Sequence, residues 1–181
     1  MKIMSDVIKQ GKHLAFLLRH DKEGLDKGLI DKNGWRSVNE LINSHQYTKE
    51  LLEEIVETND KQRYEFNSDK SKIRARQGHS INVDVELKEE LPPDVLYHGT
   101  SSKFLKSIYK QGILKGTRQH VHLSGDIETA KKVGVRHGNP VVLFIDTKKM
   151  KEDGIKFFKS NNGVWLTEYI NQKYIIEEIY E

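Results

Sequence analysis

Residues 118–124 read Arg-Gln-His-Val-His-Leu-Ser. In an extended strand, Arg118, His120, His122 and Ser124 share one face, and Gln119, Val121 and Leu123 share the other. The first face would carry a guanidinium, imidazoles and a hydroxyl, with no acid to balance them. The surroundings extend the pattern. From Val95 to Gly125 there is no Asp or Glu, yet the segment holds Lys103, Lys106, Lys110, Lys115, Arg118, His98, His120 and His122. A second acid-free stretch, Lys70 to Val83, contains Lys72, Arg74, Arg76 and His79. The whole chain is nearly balanced, with 30 basic against 27 acidic residues. Its positive charge is therefore local, which points to a site rather than to a generally basic protein. His120 and His122 supply only two potential metal ligands, with no evident third at metal spacing. Phosphate chemistry here would rest on Arg and His, with no metal.

Other chemistries are disfavoured by what is missing. The 181 residues include no cysteine, so disulfides and thiolate sites are excluded. There is no G-x-G-x-x-G and no Walker A loop, so neither a Rossmann dinucleotide unit nor a P-loop is supported. The N-terminus, MKIMSDVIKQGK, lacks the apolar core of a signal peptide. No apolar run approaches the roughly 20 residues that cross a bilayer. With 36% hydrophobic and 31% charged residues and a mean hydropathy of −0.69, a soluble, cytoplasmic globular protein is expected, and nothing suggests more than a monomer.

The elements that must position these residues change character along the chain. Ser5 can cap a helix carrying Val7, Ile8, Leu14, Leu17 and Leu18 and ending near Arg19-His20. DKEGLDKGLIDKNGW reads as loop. Ser37 and Glu40 have the spacing of a capping box before a short helix, and Thr48 can cap another bearing Leu51, Leu52, Ile55 and Val56. YEF (64–66) and KIRAR (72–76), separated by NSDKS, read as a hairpin. Three helices followed by a hairpin resemble a winged helix. Residues 82–94, acidic and ending in Pro-Pro, mark a boundary. Beyond it, VLYH (95–98), VHLS (121–124), VVLFID (141–146), a hairpin about Asn-Asn-Gly, and YIIEEIY read as strands. Between them lie a helix stopped by Gly112 and another capped by Asp126. The expectation is α+β: a helical first lobe over residues 1–90 and a sheet-rich second lobe over residues 91–181, not a doubly wound sheet.

Eight segments taken together resemble the RNA 2′-phosphotransferase family. They are LLRH (17–20), NGW (33–35), KQRYEF (61–66), RARQGHS (74–80), VLYHGTS (95–101), RQHVHLS (118–124), VGVRHG (133–138) and NNGVWLT (161–167). The resemblance implies an N-terminal winged-helix RNA-binding lobe and a C-terminal ADP-ribosyltransferase-like lobe. It also implies NAD+ as a consumed substrate and RNA carrying a 2′-phosphate as the acceptor. In that reaction the 2′-phosphate displaces nicotinamide, and the ribose 2″-hydroxyl then attacks the phosphate. RNA with a 2′-hydroxyl and ADP-ribose 1″,2″-cyclic phosphate are released.

By that resemblance the catalytic residues are Arg19, His20, Lys61, Arg63 and Arg118. Arg19, His20 and Arg63 would clamp the 2′-phosphate, and Lys61 and Arg118 would support the second step. The chemistry suits these types: a phosphate dianion needs positioning and charge balance more than a strong base, and arginine holds it bidentately. The NAD+ contacts would be His98, Gly99, Thr100, Ser101, His122 and Ser124. Val164 stands where protein-modifying transferases often carry Glu. Tyr64 replaces the more usual Phe. Arg74, Arg76 and His79 are candidates for the RNA backbone.

Plainer readings of the same residues stay open. Cations at a helix C-terminus are favoured by its dipole in any case, which would account for Arg19 and His20. Lys61 and Arg63 could be solvated strand residues, His98 a satisfied core histidine, and Arg74, Arg76 and His79 the face of a wing. Other function classes also remain: transfer of ADP-ribose to another phosphate or to a protein, a non-catalytic winged-helix nucleic-acid binder, and a metal-free ribonuclease built on two histidines and a lysine.

Overall fold

A computed structural model describes residues 2–180. The chain divides into two compact units, one reaching to Glu86 and the other starting at Leu87.

The first unit opens with α1 (Lys2–Arg19), so Ser5 lies inside this helix and does not cap it. Nothing in the preceding Lys-Ile-Met breaks a helix, and the run simply starts earlier. Leu14, Leu17 and Leu18 lie on its buried side. Each buried leucine is worth roughly 2 kcal/mol over an exposed one. The segment expected to be loop contains a short helix, α2 (Lys22–Asp26), because the Asp21 carboxylate accepts the Gly24 N–H at 2.9 Å and caps it. Next come β1 (Arg36–Ser37), α3 (Val38–His45) and α4 (Lys49–Glu57). Ser37 and Thr48 cap the two helices as their sequence predicts, accepting from Glu40 N and Leu51 N. Only half of a capping box forms at Ser37, since the Glu40 carboxylate turns to Arg36.

The hairpin is β2 (Tyr64–Phe66) and β3 (Lys72–Ala75), with Tyr64 opposite Ala75 and Glu65 opposite Arg74. β1 adds to the free side of β3, giving the order β1-β3-β2. The core joins Leu14, Leu17 and Leu18 to Val38, Leu41, Leu52, Ile55, Tyr64 and Ile73.

The second unit contains β4 (Lys88–Glu89), β5 (Val95–Ser101), α5 (Leu105–Gln111), β6 (Val121–Leu123), α6 (Ile127–Gly134), β7 (Pro140–Asp146), α7 (Thr147–Glu152), β8 (Phe158–Lys159), β9 (Trp165–Thr167) and β10 (Ile175–Tyr180). β4 pairs with β8, so Lys88 and Glu89 belong to this unit. Two antiparallel sheets form, β10-β7-β5 and β4-β8-β9-β6. Among the described residues one bridge links them, in which Tyr97 and Ser124 exchange N–H···O bonds of 3.0 and 2.8 Å. Leu96, Val121, Leu123, Val141, Leu143, Ile145 and Trp165 fill the core. Gly112 ends α5 at a φ of 80°, as a C-terminal stop must. The α+β expectation holds, with every named strand pair antiparallel.

Candidate functional site

In the first unit, α1 delivers Arg19 and His20 at its C-terminus, where four backbone carbonyls lack helical partners. A loop from the end of the sheet supplies donors. Ser80 N and Ile81 N reach the Arg19 carbonyl at 3.0 and 3.3 Å, and Ser80 Oγ lies 2.9 Å from His20 Nδ1. Gly78, at a φ of +87°, passes the Arg19 guanidinium closely enough that a Cβ there would sit 3.5 Å from Cζ. The guanidinium also lies over the Tyr64 ring, 5.9 Å from its centroid. Tyr64 itself donates to Gly11 O at 2.9 Å, which gives the phenol of this position a partner that Phe would lack. Burial raises its pKa, and the charges of Arg19 and Arg63 oppose that rise.

Lys61 and Arg63 flank a backbone that few residues adopt, for Gln62 has a φ of +42°. Asn59 holds this turn. Its side-chain oxygen accepts from Arg63 N at 3.0 Å and from Arg63 Nη1 at 3.4 Å, and its carbonyl accepts from Gln62 N at 2.9 Å. Sequence reasoning passed over Asn59, although an Asn-Asp pair just before the motif is a turn signal.

RARQGHS behaves differently from the exposed basic strip it suggests. Arg74 is buried, its Nε 2.8 Å from Glu65 and its Nη1 3.0 Å from Glu86, with its guanidinium 4.3 Å from the Trp35 ring centroid. Arg76 pairs with the other oxygen of Glu65 at 3.1 Å. His79 is 1% exposed, and neither ring nitrogen has a hydrogen-bond partner. Burial, followed by the charges of Arg19, His20 and Arg74, drives its pKa down to about 3. Arg74 and His79 are therefore interior groups and do not present themselves to an RNA backbone. The acids that neutralise Arg74 and Arg76 lie outside the acid-free stretch: Glu65 on the paired strand and Glu86 farther along the chain.

Arg36, which no motif singled out, is a heavily bonded buried charge. It is 1% exposed and its fork contacts Asp21 at 2.7 Å, Leu17 O at 3.1 Å and both oxygens of Glu40. Its partners at positions 17 and 21 bracket Arg19-His20, so it ties down the chain on both sides of the pair.

In the second unit, the strand β6 is shorter than RQHVHLS. Only residues 121–123 pair, against Thr167, Leu166 and Trp165, while Arg118 and His120 lie in the preceding bends. The shared face expected from alternation does not form across the whole segment. Turn-forming Gly116 (φ +62°) and Thr117 delay the strand. Arg118 still meets His122, with Nη1 3.4 Å from Nδ1. Among the described residues no carboxylate pairs with Arg118. Its pKa is lowered by desolvation and then by the Arg136 guanidinium, so uncompensated positive charge does collect here. His120 packs near the Phe158 ring, at 5.8 Å between centroids.

β5 runs on past the VLYH expected as strand, through Gly99, Thr100 and Ser101. The reason for glycine at 99 is packing against α6. A Cβ there would sit 1.8 Å from the Ala130 carbonyl oxygen. That side of Gly99 is filled by protein, not open to a ligand. His98, on the opposite face of the strand, places Nδ1 3.1 Å from the His122 carbonyl. A carbonyl only accepts, so Nδ1 carries the proton and Nε2 of the neutral ring is an acceptor. Burial lowers the His98 pKa, which favours the neutral ring. Thr100 and Ser101 are buried polar residues, and Ser124 is half-buried at the bridge to Tyr97. Val164 sits in the β8–β9 turn, its carbonyl accepting from Ser160 N at 3.0 Å. Among the described residues no cluster of His, Asp and Glu is arranged to hold a metal ion.

The fold and side chains define an α+β protein in which each unit carries Arg and His groups suited to a phosphorylated, anionic substrate. Residues 5–169 match the family described as RNA 2′-phosphotransferase, Tpt1 / KptA family, and the chain belongs to that family. A probable RNA 2′-phosphotransferase of Fusobacterium nucleatum is 51% identical over 178 residues, covering 95% of this chain and 99% of the relative. One of Flavobacterium johnsoniae is 51% identical over 170 residues, covering 91% and 92%. One of Escherichia coli is 42% identical over 176 residues, covering 94% and 95%.

Proposed function

We propose that this protein is an NAD+-dependent transferase that removes an internal 2′-phosphate from RNA. Family membership carries the reaction class, and the Arg19-His20 pair, held at the end of α1 by the 78–81 loop, is the observation in the structure that supports it most. The order of elements in the first unit, helix, strand, helices and then hairpin, fits a winged-helix lobe. The split antiparallel sheets of the second fit an ADP-ribosyltransferase-like lobe.

In this reading Arg19, His20 and Arg63 bind the 2′-phosphate. The fixed turn at Asn59–Arg63 lowers the entropy lost in doing so. A phosphate oxygen bonds to C1″ of the nicotinamide ribose as the C1″–N bond breaks and nicotinamide leaves. The 2″-hydroxyl oxygen then bonds to phosphorus and gives up its proton. The bond from phosphorus to the RNA 2′-oxygen breaks, and that oxygen gains a proton. Lys61 and Arg118 balance the negative charge that builds on phosphorus in this step.

In this reading NAD+ is held by the second unit. His98 would accept from a ribose hydroxyl at Nε2, with His122 and Ser124 at the bridge to Tyr97 beside it, while Thr100 and Ser101 lie farther along β5 and are buried. Gly99 serves this site by seating α6 against β5. Val164 offers no acid, which suits an acceptor that is already an anion.

The test is RNA bearing one internal 2′-phosphate, incubated with and without NAD+, with products resolved. Release of nicotinamide, 2′-hydroxyl RNA and ADP-ribose 1″,2″-cyclic phosphate is expected only with NAD+. RNA cleavage without NAD+, or a stable ADP-ribosylated product in place of dephosphorylated RNA, would replace this reading with one of its competitors.

A further inference from the structure

The RARQGHS segment remains unassigned if it does not touch RNA, and the geometry points to a different role for it. We propose that Ser80 is a positioning residue that sets the orientation of the His20 imidazole, in a cradle formed by residues 78–81. This deepens the reading of Arg19-His20 as the phosphate-binding pair and rests on it.

Three observations converge. Ser80 Oγ is 2.9 Å from His20 Nδ1. The amides of Ser80 and Ile81 both reach the carbonyl of Arg19, the residue just before His20. Gly78 lies against the Arg19 guanidinium itself, at a φ of +87° that glycine adopts without strain. Behind the loop, His79 is buried and anchors it by packing. The cradle thus touches the backbone of the pair and both of its side chains.

Serine is well suited to the task. Its hydroxyl donates to an unprotonated Nδ1 and accepts from a protonated one. It can therefore hold the ring in one orientation whether His20 is neutral or charged. Nε2, on the far side of the ring from Ser80, is then the nitrogen presented to the phosphate in either state. A methyl group at position 80 would leave the ring to rotate about its side-chain torsions.

The experiment compares Ser80→Ala, Ser80→Thr, His20→Ala and the Ser80→Ala/His20→Ala double variant. Each is assayed as full-length protein on 2′-phosphorylated RNA with NAD+. Ser80→Ala should lower kcat/KM for RNA by roughly ten- to a hundredfold, the worth of a hydrogen bond to a charged group. The KM for NAD+ should not change. Ser80→Thr, which keeps the hydroxyl, should restore most of the rate, and the double variant should be no slower than His20→Ala alone. Wild-type rates in Ser80→Ala, or an equal loss in both backgrounds, would overturn the proposal. Nitrogen-15 shifts of the His20 imidazole give a readout that needs no turnover. They should move on Ser80→Ala and not on Ser80→Thr. If the wild type proves inactive on this RNA, the functional reading fails while these shifts still decide whether Ser80 orients His20.

Discussion

A buried, unpartnered imidazole such as His79 makes folding depend on pH in a direction that can be worked out. Its pKa is about 3 in the folded chain, against the ordinary histidine value of 6.5 when the chain is unfolded. Between these values the unfolded chain binds a proton that the folded chain refuses, so stability falls as pH drops below 6.5. At pH 5 the loss from this residue is about 2 kcal/mol. His79→Met, similar in bulk and not titratable, should flatten that part of the profile, as measured by urea unfolding at pH 7 and pH 5. An unchanged pH slope would mean that His79 is solvated. Arg118 carries a prediction of another kind. With no carboxylate to neutralise it among the described residues and Arg136 close by, it is available for charge on a substrate. Assigned to the second step, Arg118→Ala should leave nicotinamide release in place and accumulate 2′-phospho-ADP-ribosyl RNA, seen as a slower-migrating RNA. Loss of nicotinamide release as well would move Arg118 to the first step.

Element packing explains why glycine stands at 99. β5 and α6 approach until the Ala130 carbonyl occupies the place of a side chain. Gly134 makes the same approach from the helix side, where a Cβ would lie 2.6 Å from the Thr100 carbonyl. Backbone cannot yield as a flexible side chain can, so Gly99→Ala should destabilise the protein by about 3 kcal/mol. The measurement is thermal unfolding, and a change in melting temperature within a degree or two would refute close packing here. If the proposed NAD+ site is right, binding of NAD+ should weaken in step with folding, since the substitution moves β5 rather than deleting a contact. The hairpin offers the complementary case. Glu65 sits opposite Arg74 across β2 and β3 and also pairs with Arg76, so one carboxylate organises a segment that looks purely basic in sequence.

At the scale of the whole molecule, the cationic groups divide into those neutralised within their own unit and those that are not. Arg36 and Arg74 are neutralised and structural; Arg118 is not. Activity in this reading comes from positioning and charge balance by side chains, so EDTA should leave phosphate transfer unchanged while omission of NAD+ abolishes it. A loss of activity in EDTA that added Mg2+ restores would require a metal-assisted mechanism. Much of this protein was legible in the one-dimensional sequence. Helix caps at Ser37, Thr48 and Asp126, the stop at Gly112 and the runs of β-branched residues are local signals, and local energies place them. The eight motifs in order likewise carry the family, which the match over residues 5–169 shows. Burial and partnership were not legible, because they depend on what lies opposite in space. Glu65 and Glu86 neutralise Arg74 from outside its basic stretch, Asn59 sets the turn that carries Arg63, and the Ala130 carbonyl claims the side of Gly99 that a ligand was expected to approach. The tertiary structure alone decided which cations are spent on the fold, since a charge's partner is fixed by distance through space and not by separation along the chain.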